Sequence, residues 1–163
     1  MVNRKEITSK LSNLLEEYLN PHKDTRIYIA KEVTFNYGRK DECRVDYMRY
    51  KPKNNTVSGI EQGVFYAYEI KSSVEDFNSG HGTNWDIADY SYIVTLPDVY
   101  ASISKSLPYW VGCIVPSDEL GRSMEVIKKA KAHDRTKPCS EMLLMMFRSA
   151  NRDVIKKYGK KED

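Results

Sequence analysis

The sequence predicts an α/β fold in which a mixed β-sheet is flanked by helices. The prediction depends on three observations. Apolar side chains at helical spacing open the chain, and two alternating segments around a turn-rich stretch predict an antiparallel hairpin. A later strand–helix–strand order predicts a parallel pair of strands with a right-handed crossover. A sheet that contains both kinds of pairing is mixed, and helices must cover its apolar faces.

The first half of the chain supplies the opening helix and the hairpin. A helix is predicted over residues 4–19, because apolar side chains recur there every three or four positions and an Asn-Pro pair follows. The β-branched and aromatic residues of 26–36 predict a strand or an extended segment. Segments 44–50 and 64–71 alternate in polarity, so we expect them to pair across a long loop.

The second half of the chain predicts shorter elements that end in a long helix. These are a short helix after residue 71 with Ser72 or Ser73 as its cap, a glycine-bearing loop at 78–84, strands at 90–96 and 110–115 with a helix at about 97–106 between them, and a helix at 139–158. The segment 124–131 fits either a strand or a helix, and the sequence leaves that choice open.

The composition is that of one domain spanning residues 1–163, with a core over about 4–134 and a basic C-terminal helix. The net charge of +3 is unevenly distributed, because residues 122–163 carry 12 basic and 6 acidic side chains. Such a cationic flank suits a polyanionic partner, although a solvated helix with a frayed end explains the same charges.

The sequence does not predict a membrane protein. It has no run of about 20 apolar residues, and its first residues lack the apolar centre of a secretory signal. We therefore expect a cytoplasmic protein without a membrane partner. Cys43, Cys113 and Cys139 are too far apart for a C-x-x-C zinc pair, and we expect them to act as small apolar residues.

Three charged residues stand within otherwise apolar or aromatic strands. Glu69 and Lys71 are two positions apart and share one face of their strand, and the antiparallel neighbour can bring Asp46 close to them. Two converging carboxylates repel each other unless a cation lies between them, and hard oxygen ligands suit Mg²⁺ or Mn²⁺. An ion pair on a solvated sheet edge, with Asp46 in a turn, explains the same pattern without a metal.

Six segments, in this order, carry a family likeness. They are RVDYMRY (44–50), YEIKSSVEDF (68–77), GHGTNW (80–85), YIVTLPDVY (92–100), LPYWVGCIVP (107–116) and MEVIKKAKAHD (124–134). Together they resemble the PD-(D/E)XK nuclease superfamily, above all its MmcB-like branch associated with DNA repair and related small phage and prophage proteins. The likeness covers about residues 26–134, and YEIKSSVEDF is its most specific part.

The resemblance implies a restriction-endonuclease-like fold and a Mg²⁺-dependent DNA nuclease. Asp46 and Glu69 would then hold the metal, and Lys71 would assist catalysis. Related proteins often add a carboxylate from the first helix, and here Glu17 is favoured over Glu16 and over Glu32 in the following segment. Val45 stands where the superfamily motif has proline, which performs no chemistry. A homodimer is also open, because many proteins of this fold pair to cut both strands.

Five further residues are candidates for contact with nucleic acid. The hydroxyls or amides of Ser72 and Ser73 could hold a phosphate at a helix start, although capping alone explains them. His81 and Asn84 match a Gly-His-Asn element of similar phage proteins and would orient the substrate. Trp85, Tyr37 or Tyr109 could stack on an unpaired base, and the sequence does not select one of them.

Overall fold

The computed structural model describes residues 3–118 and 121–159, and its centre is a six-stranded sheet in the order β1-β2-β3-β4-β5-β6. The strands are β1 (Tyr28–Phe35), β2 (Cys43–Lys51), β3 (Val64–Ile70), β4 (Tyr90–Val94), β5 (Gly112–Pro116) and β6 (Met124–Lys128). The β1–β2, β2–β3 and β5–β6 pairs are antiparallel, whereas β3–β4 and β4–β5 are parallel. The predicted mixed sheet is therefore confirmed.

Helices cover both faces of this sheet. They are α1 (Arg4–Leu19), α2 (Val57–Glu61), α3 (Val74–Asn78), α4 (Pro97–Ile103) and α5 (Cys139–Tyr158), and a 3₁₀ turn (Ser104–Ser106) follows α4. The described residues contain no helix with the length and apolarity needed to cross a bilayer.

The two faces follow from the alternation of side chains along each strand. Tyr47 and Tyr68 point to the face where Leu11 and Leu15 of α1 are fully buried. Their sequence neighbours Met48 and Ala67 point to the opposite face, where the N-terminal part of α5 packs over β1 and β2. A second cluster on that face joins α4 to β4 and β5. Burial on both faces explains why the central strands tolerate few charged residues.

The opening helix begins where the sequence supplies a complete cap. The side chain of Asn3 accepts a hydrogen bond from Lys5 N, and the carboxylate of Glu6 accepts one from Asn3 N. This capping box satisfies backbone donors that have no partner inside the helix. It fixes the first turns of α1 beside the candidate site described below.

Most predicted elements are confirmed within one or two residues. Two observations go beyond the prediction. The turn-rich loop between β2 and β3 contains α2, whose first turn is capped by Thr56 through a hydrogen bond from Gly59 N. Within the ambiguous segment 124–131, residues 124–128 form β6, because they pair with β5. Lys160 and Lys161, part of the predicted basic flank, lie outside the described residues.

Candidate active site

The candidate site begins where the hairpin of β2 and β3 opens. Regular pairing ends at Tyr47 and Tyr68, so Asp46 and Glu69 occupy the next opposing positions. Here side chains replace the main-chain ladder: Ile70 N donates to Asp46 Oδ2 at 2.8 Å, and Asp46 N donates to Glu69 Oε2 at 3.5 Å. The strands separate at this point, and the two carboxylates fill the gap between them. The sequence-based expectation that these residues converge is consistent with this geometry.

Both carboxyl groups lie in an environment that disfavours their charged forms. Burial raises the pKa of Glu69, and the nearby charge of Asp46 raises it further. Burial also raises the pKa of Asp46, while the hydrogen bond from Ile70 N and the charge of Lys71 oppose that rise. Two neighbouring buried carboxylates stabilise a cation placed between them, because the cation removes their mutual repulsion.

Lys71 is the third member of the cluster and is 3% exposed. Its backbone is held on both sides, since Lys71 N donates to Val94 O at 3.0 Å and the hydroxyl of Thr95 donates to Lys71 O. Its amine donates to the backbone carbonyl of His81. The amine therefore lies between the end of β3 and the glycine-bearing loop.

Gly82 brings that loop into direct contact with Glu69. The residue has a φ of +67°, which favours glycine, and a Cβ built there would lie 1.7 Å from Glu69 Oε1. Only a residue without a side chain allows the loop to approach so closely. The sequence marked this loop by its glycines and by His81 and Asn84, but the contact of Gly82 with a carboxylate has no signal in a single sequence.

Asp46, Glu69 and Lys71 lie in an open cleft of about 720 Å³. Arg4 and Thr8 from the first turns of α1 line one side, and His81 and Asn84 line the side formed by the loop. Both loop residues therefore line the same cleft as the two carboxylates and the lysine. A volume of several hundred cubic ångströms is the usual size of a ligand site.

Asp76 of α3 organises the wall beside Lys71. Its Oδ2 accepts hydrogen bonds from both the amide and the hydroxyl of Ser72, at 3.0 and 3.1 Å, while its Oδ1 pairs with the guanidinium of Arg4. The hydroxyl of Ser73 accepts a bond from Asp76 N and caps α3. The amide and hydroxyl of Ser72 and the hydroxyl of Ser73 all form hydrogen bonds within the protein, as the capping interpretation expects. Sequence reasoning missed Arg4 and Asp76, because they are 72 positions apart.

The structure does not bring the favoured auxiliary carboxylate, Glu17, into the cleft. The Glu17 side chain is 63% exposed and faces Lys23 at 3.6 Å. The first turns of α1 line the cleft, and Glu17 lies nine residues beyond Thr8, which is about 13 Å along the helix axis. The helix therefore presents its basic N-terminal end to the site, not its acidic C-terminal end.

The two other candidates for this role are also engaged elsewhere. Glu16 accepts hydrogen bonds from Lys31 and from the hydroxyl of Tyr47. Glu32 faces Arg44 at 3.5 Å and Arg152 at 3.9 Å. Neither residue lines the cleft.

Trp85 is also placed differently from the expectation. The side chain belongs to the core cluster of α4, β4 and β5, with 9% of the residue exposed. Its backbone carbonyl accepts hydrogen bonds from the Ser91 hydroxyl and the Trp110 indole. A ring buried in this way cannot stack on a base, and its aromatic character serves the core.

The donor set of the cleft fits a magnesium ion. Within the part of the chain that the structure describes, no group of three or more His, Cys, Asp or Glu side chains forms a preassembled metal cage. Mg²⁺ is commonly held by one or two carboxylates and keeps several waters, which substrate phosphates can replace. Asp46 and Glu69 supply two hard oxygen ligands of this kind.

The comparisons with known proteins bear on the fold alone. No family model and no curated protein matches the chain. A solved structure that does match is the SPO1766 protein of unknown function from Silicibacter pomeroyi, with a TM-score of 0.64 and 18% sequence identity. The match covers 96% of this chain and 94% of that protein. The two chains therefore share an α/β architecture over nearly their whole lengths.

Proposed function

We propose that the protein is a metal-dependent nuclease that hydrolyses phosphodiester bonds in DNA. The observation that carries the proposal is the convergence of Asp46, Glu69 and Lys71 in one open cleft where two strands separate. The resemblance of YEIKSSVEDF and its neighbouring segments to PD-(D/E)XK nucleases supports the same chemistry, with DNA repair or phage DNA processing as its setting.

The carboxylates of Asp46 and Glu69 would hold Mg²⁺ or Mn²⁺. The ion would polarise the scissile phosphate and lower the pKa of a bound water. The backbone bond from Ile70 N orients the Asp46 carboxylate, and Gly82 lets the loop close against Glu69 without displacing it. Because the main chain of the loop occupies the space beside Glu69, fewer water molecules would bind there and compete with the carboxylate for the metal.

Lys71 would act on the water or on the phosphate. Its amine now donates to the carbonyl of His81, so the binding of substrate would exchange that acceptor for a phosphate oxygen or the attacking water. From that position the amine would neutralise charge that develops in the transition state or assist proton removal. Arg4, with its side chain 66% exposed at the cleft, would attract the neighbouring phosphates.

The proposal is tested by cleavage of labelled single-stranded, duplex and branched DNA in Mg²⁺, Mn²⁺ or EDTA. We expect metal-dependent cutting by the wild-type protein and a loss of at least about 100-fold in Glu69→Gln and in Lys71→Ala. Glu17→Gln is the matched control, because it makes the same chemical change on α1 outside the cleft, and it should retain wild-type activity.

Other outcomes have defined meanings. Full activity in Glu69→Gln or Lys71→Ala would remove these residues from the mechanism. DNA binding without cleavage on any substrate would instead favour the alternative, a non-catalytic nucleic-acid-binding module that keeps the nuclease fold. A parallel series with RNA substrates determines whether DNA is required.

A further inference from the structure

A second surface carries aromatic and cationic side chains together, on the face of the sheet that α1 covers. We propose that it binds a single-stranded segment of nucleic acid. We call it the tyrosine groove, and its lining includes Tyr18, Arg49, Lys51, Tyr66, Tyr68 and Tyr92. The inference depends on the proposed function for the class of ligand, because a nuclease must hold its polyanionic substrate or product at points other than the reacting bond.

The aromatic part of the groove is built by strand register. Tyr66 lies beside Tyr90, and Tyr68 lies beside Tyr92, in the parallel β3–β4 pair. Both pairs are stacked, with ring centroids 5.1 and 5.7 Å apart and interplanar angles of 15° and 13°. Tyr66, Tyr90 and Tyr92 keep part of their surface exposed. Such stacked rings form a rigid aromatic platform, and any nucleobase can stack on a platform of this kind.

The cationic part of the groove comes from β2. Arg49 lies directly opposite Tyr66 in the β2–β3 register, and Lys51 follows it two residues later on the same face. Among the ion pairs of residues 3–118 and 121–159, none involves Arg49 or Lys51, whereas Arg4, Arg44 and Arg135 all face carboxylates. Two neighbouring cations without an acidic partner attract an anion, and a guanidinium beside aromatic rings suits a phosphate linked to a base.

The dimensions of the groove favour one unit of a polymer over a whole small molecule. Its volume is about 170 Å³, well below the roughly 300–1,000 Å³ of sites that enclose drug-sized ligands. Tyr66 precedes Glu69 by three residues, or about 10 Å of strand, and the alternation of side chains places these two residues on opposite faces of β3, so the groove is a surface separate from the cleft.

The test is the binding of fluorescein-labelled oligo(dT) in EDTA, which prevents metal-dependent cutting, followed by anisotropy over a range of salt concentrations. We expect Arg49→Gln/Lys51→Gln to weaken binding and to reduce the salt slope by about 1.4. Tyr66→Leu should weaken binding by at least about fivefold while leaving the salt slope unchanged, because it removes stacking and no charge. Lys105→Gln is the control for a lost exposed charge, because Lys105 lies outside the groove, the cleft and segment 122–163, and it should bind as the wild type does.

The outcomes separate this inference from the nuclease proposal. Equal affinity and equal salt slope in Arg49→Gln/Lys51→Gln and in the control would overturn the groove, even if the wild type cleaves DNA. Groove-dependent binding by a protein that never cleaves would support the groove and reject the nuclease. Poly-glutamate that competes as well as oligo(dT) would overturn the assignment to nucleic acid in favour of an acidic protein. Thermal unfolding of each variant checks that a loss of binding is not a loss of fold.

Discussion

At the scale of single residues, the candidate site contains charged groups whose burial lowers the stability of the folded protein. Glu69 is 8% exposed and belongs to a strand whose other side chains pack against the core or stack with neighbouring rings. A protein without a use for this carboxylate would gain stability by replacing it, because a buried charge without a cation is unfavourable. The cost is explained if a divalent cation occupies the position between Asp46 and Glu69.

Burial of the Glu69 carboxyl group predicts how the stability of Glu69→Gln depends on pH in the absence of metal. Burial and the charge of Asp46 raise the pKa of Glu69 above its ordinary 4.5, so the folded protein retains a proton that the unfolded chain loses. Stability contributed by this group is complete below about pH 4.5 and is lost as the pH rises. Above about pH 6, Glu69→Gln should therefore be more stable than the wild type, by about 1 kcal/mol or more, which corresponds to 2–4 °C in Tm.

Thermal unfolding in EDTA from about pH 4 to 8 measures this difference. The Tm values of the wild type and of Glu69→Gln should converge at the acid end of this range. Added Mg²⁺ should raise the Tm of the wild type only, because ligand binding stabilises the folded state. A Glu69→Gln variant that melts below the wild type throughout the range would show that the carboxylate is structurally required. Glu17→Gln serves again as the exposed control, and its Tm should equal that of the wild type at each pH.

Gly82 gives a steric prediction for the same carboxylate. Alanine at this position would bring Cβ to 1.7 Å from Glu69 Oε1, so the carboxylate or the loop must move. Gly80→Ala is the matched control, since Gly80 also has a positive φ, +73°, but no atom lies within 4 Å of its built Cβ. Both variants should lose about 1–2 kcal/mol of stability through backbone strain. Only Gly82→Ala should also lose metal-dependent cleavage and the stabilisation by Mg²⁺, and equal activities would contradict the role of this contact.

At the scale of elements, sequence patterns predict what local physics determines. Alternation identified β2 and β3, and helical spacing identified α1 and α5, because burial of one face imposes those periods on the sequence. The helix α2 was missed because its five residues lie among turn formers and are too few for a period to emerge. The sequence also predicted that Asp46 could lie close to Glu69 and Lys71, because antiparallel neighbours in a hairpin lie side by side.

At the same scale, the structure does not place Glu17 in the cleft as the predicted auxiliary carboxylate, and the reason is different. Helical periodicity shows which face of α1 is buried, but it does not show which end of the helix meets the cleft. That end is set by how α1 lies across the sheet, and contacts such as Arg4 with Asp76 join residues that no local pattern relates. The same limit applies to Trp85, whose burial depends on the packing of α4 against β4 and β5.

Helix α3 supports a prediction that separates capping from phosphate binding at Ser73. Its hydroxyl accepts the amide of Asp76 at 3.1 Å, so Ser73→Ala should cost about 1 kcal/mol of stability. Asn is an equally good cap, and Ser73→Asn should restore the melting temperature. If capping is the whole role, Ser73→Asn should also cleave at the wild-type rate. A stable Ser73→Asn variant without activity would indicate that the hydroxyl contacts the substrate.

At the scale of the whole molecule, the mixed sheet gives the site its position. The antiparallel hairpin supplies Asp46 and Glu69, while the parallel β3–β4 pair holds the end of β3 through the bond from Lys71 N to Val94 O. A strand with an antiparallel neighbour on one side and a parallel neighbour on the other can separate from the first while the second holds it. This combination lets the hairpin open into a cleft without loss of the sheet.

The distribution of charge over the molecule gives the last prediction. The C-terminal segment 122–163 has 12 basic and 6 acidic side chains, and Lys156 and Lys157 are exposed in the last turn of α5. If this flank contacts duplex phosphates, Lys156→Gln/Lys157→Gln should reduce the slope of log affinity against log salt by about 1.8, because each contact contributes about 0.9. Affinity for every duplex sequence should fall together, since phosphate contacts carry no sequence information.

The turnover of bound DNA should not change, because α5 packs over β1 and not at the cleft. Anisotropy titrations in EDTA at several salt concentrations give the slope, and single-turnover cleavage gives the rate. Lys105→Gln, at an exposed lysine outside segment 122–163, controls for lost charge. An unchanged slope would mean that the basic flank is a solvated helix end and that duplex affinity comes from the cleft.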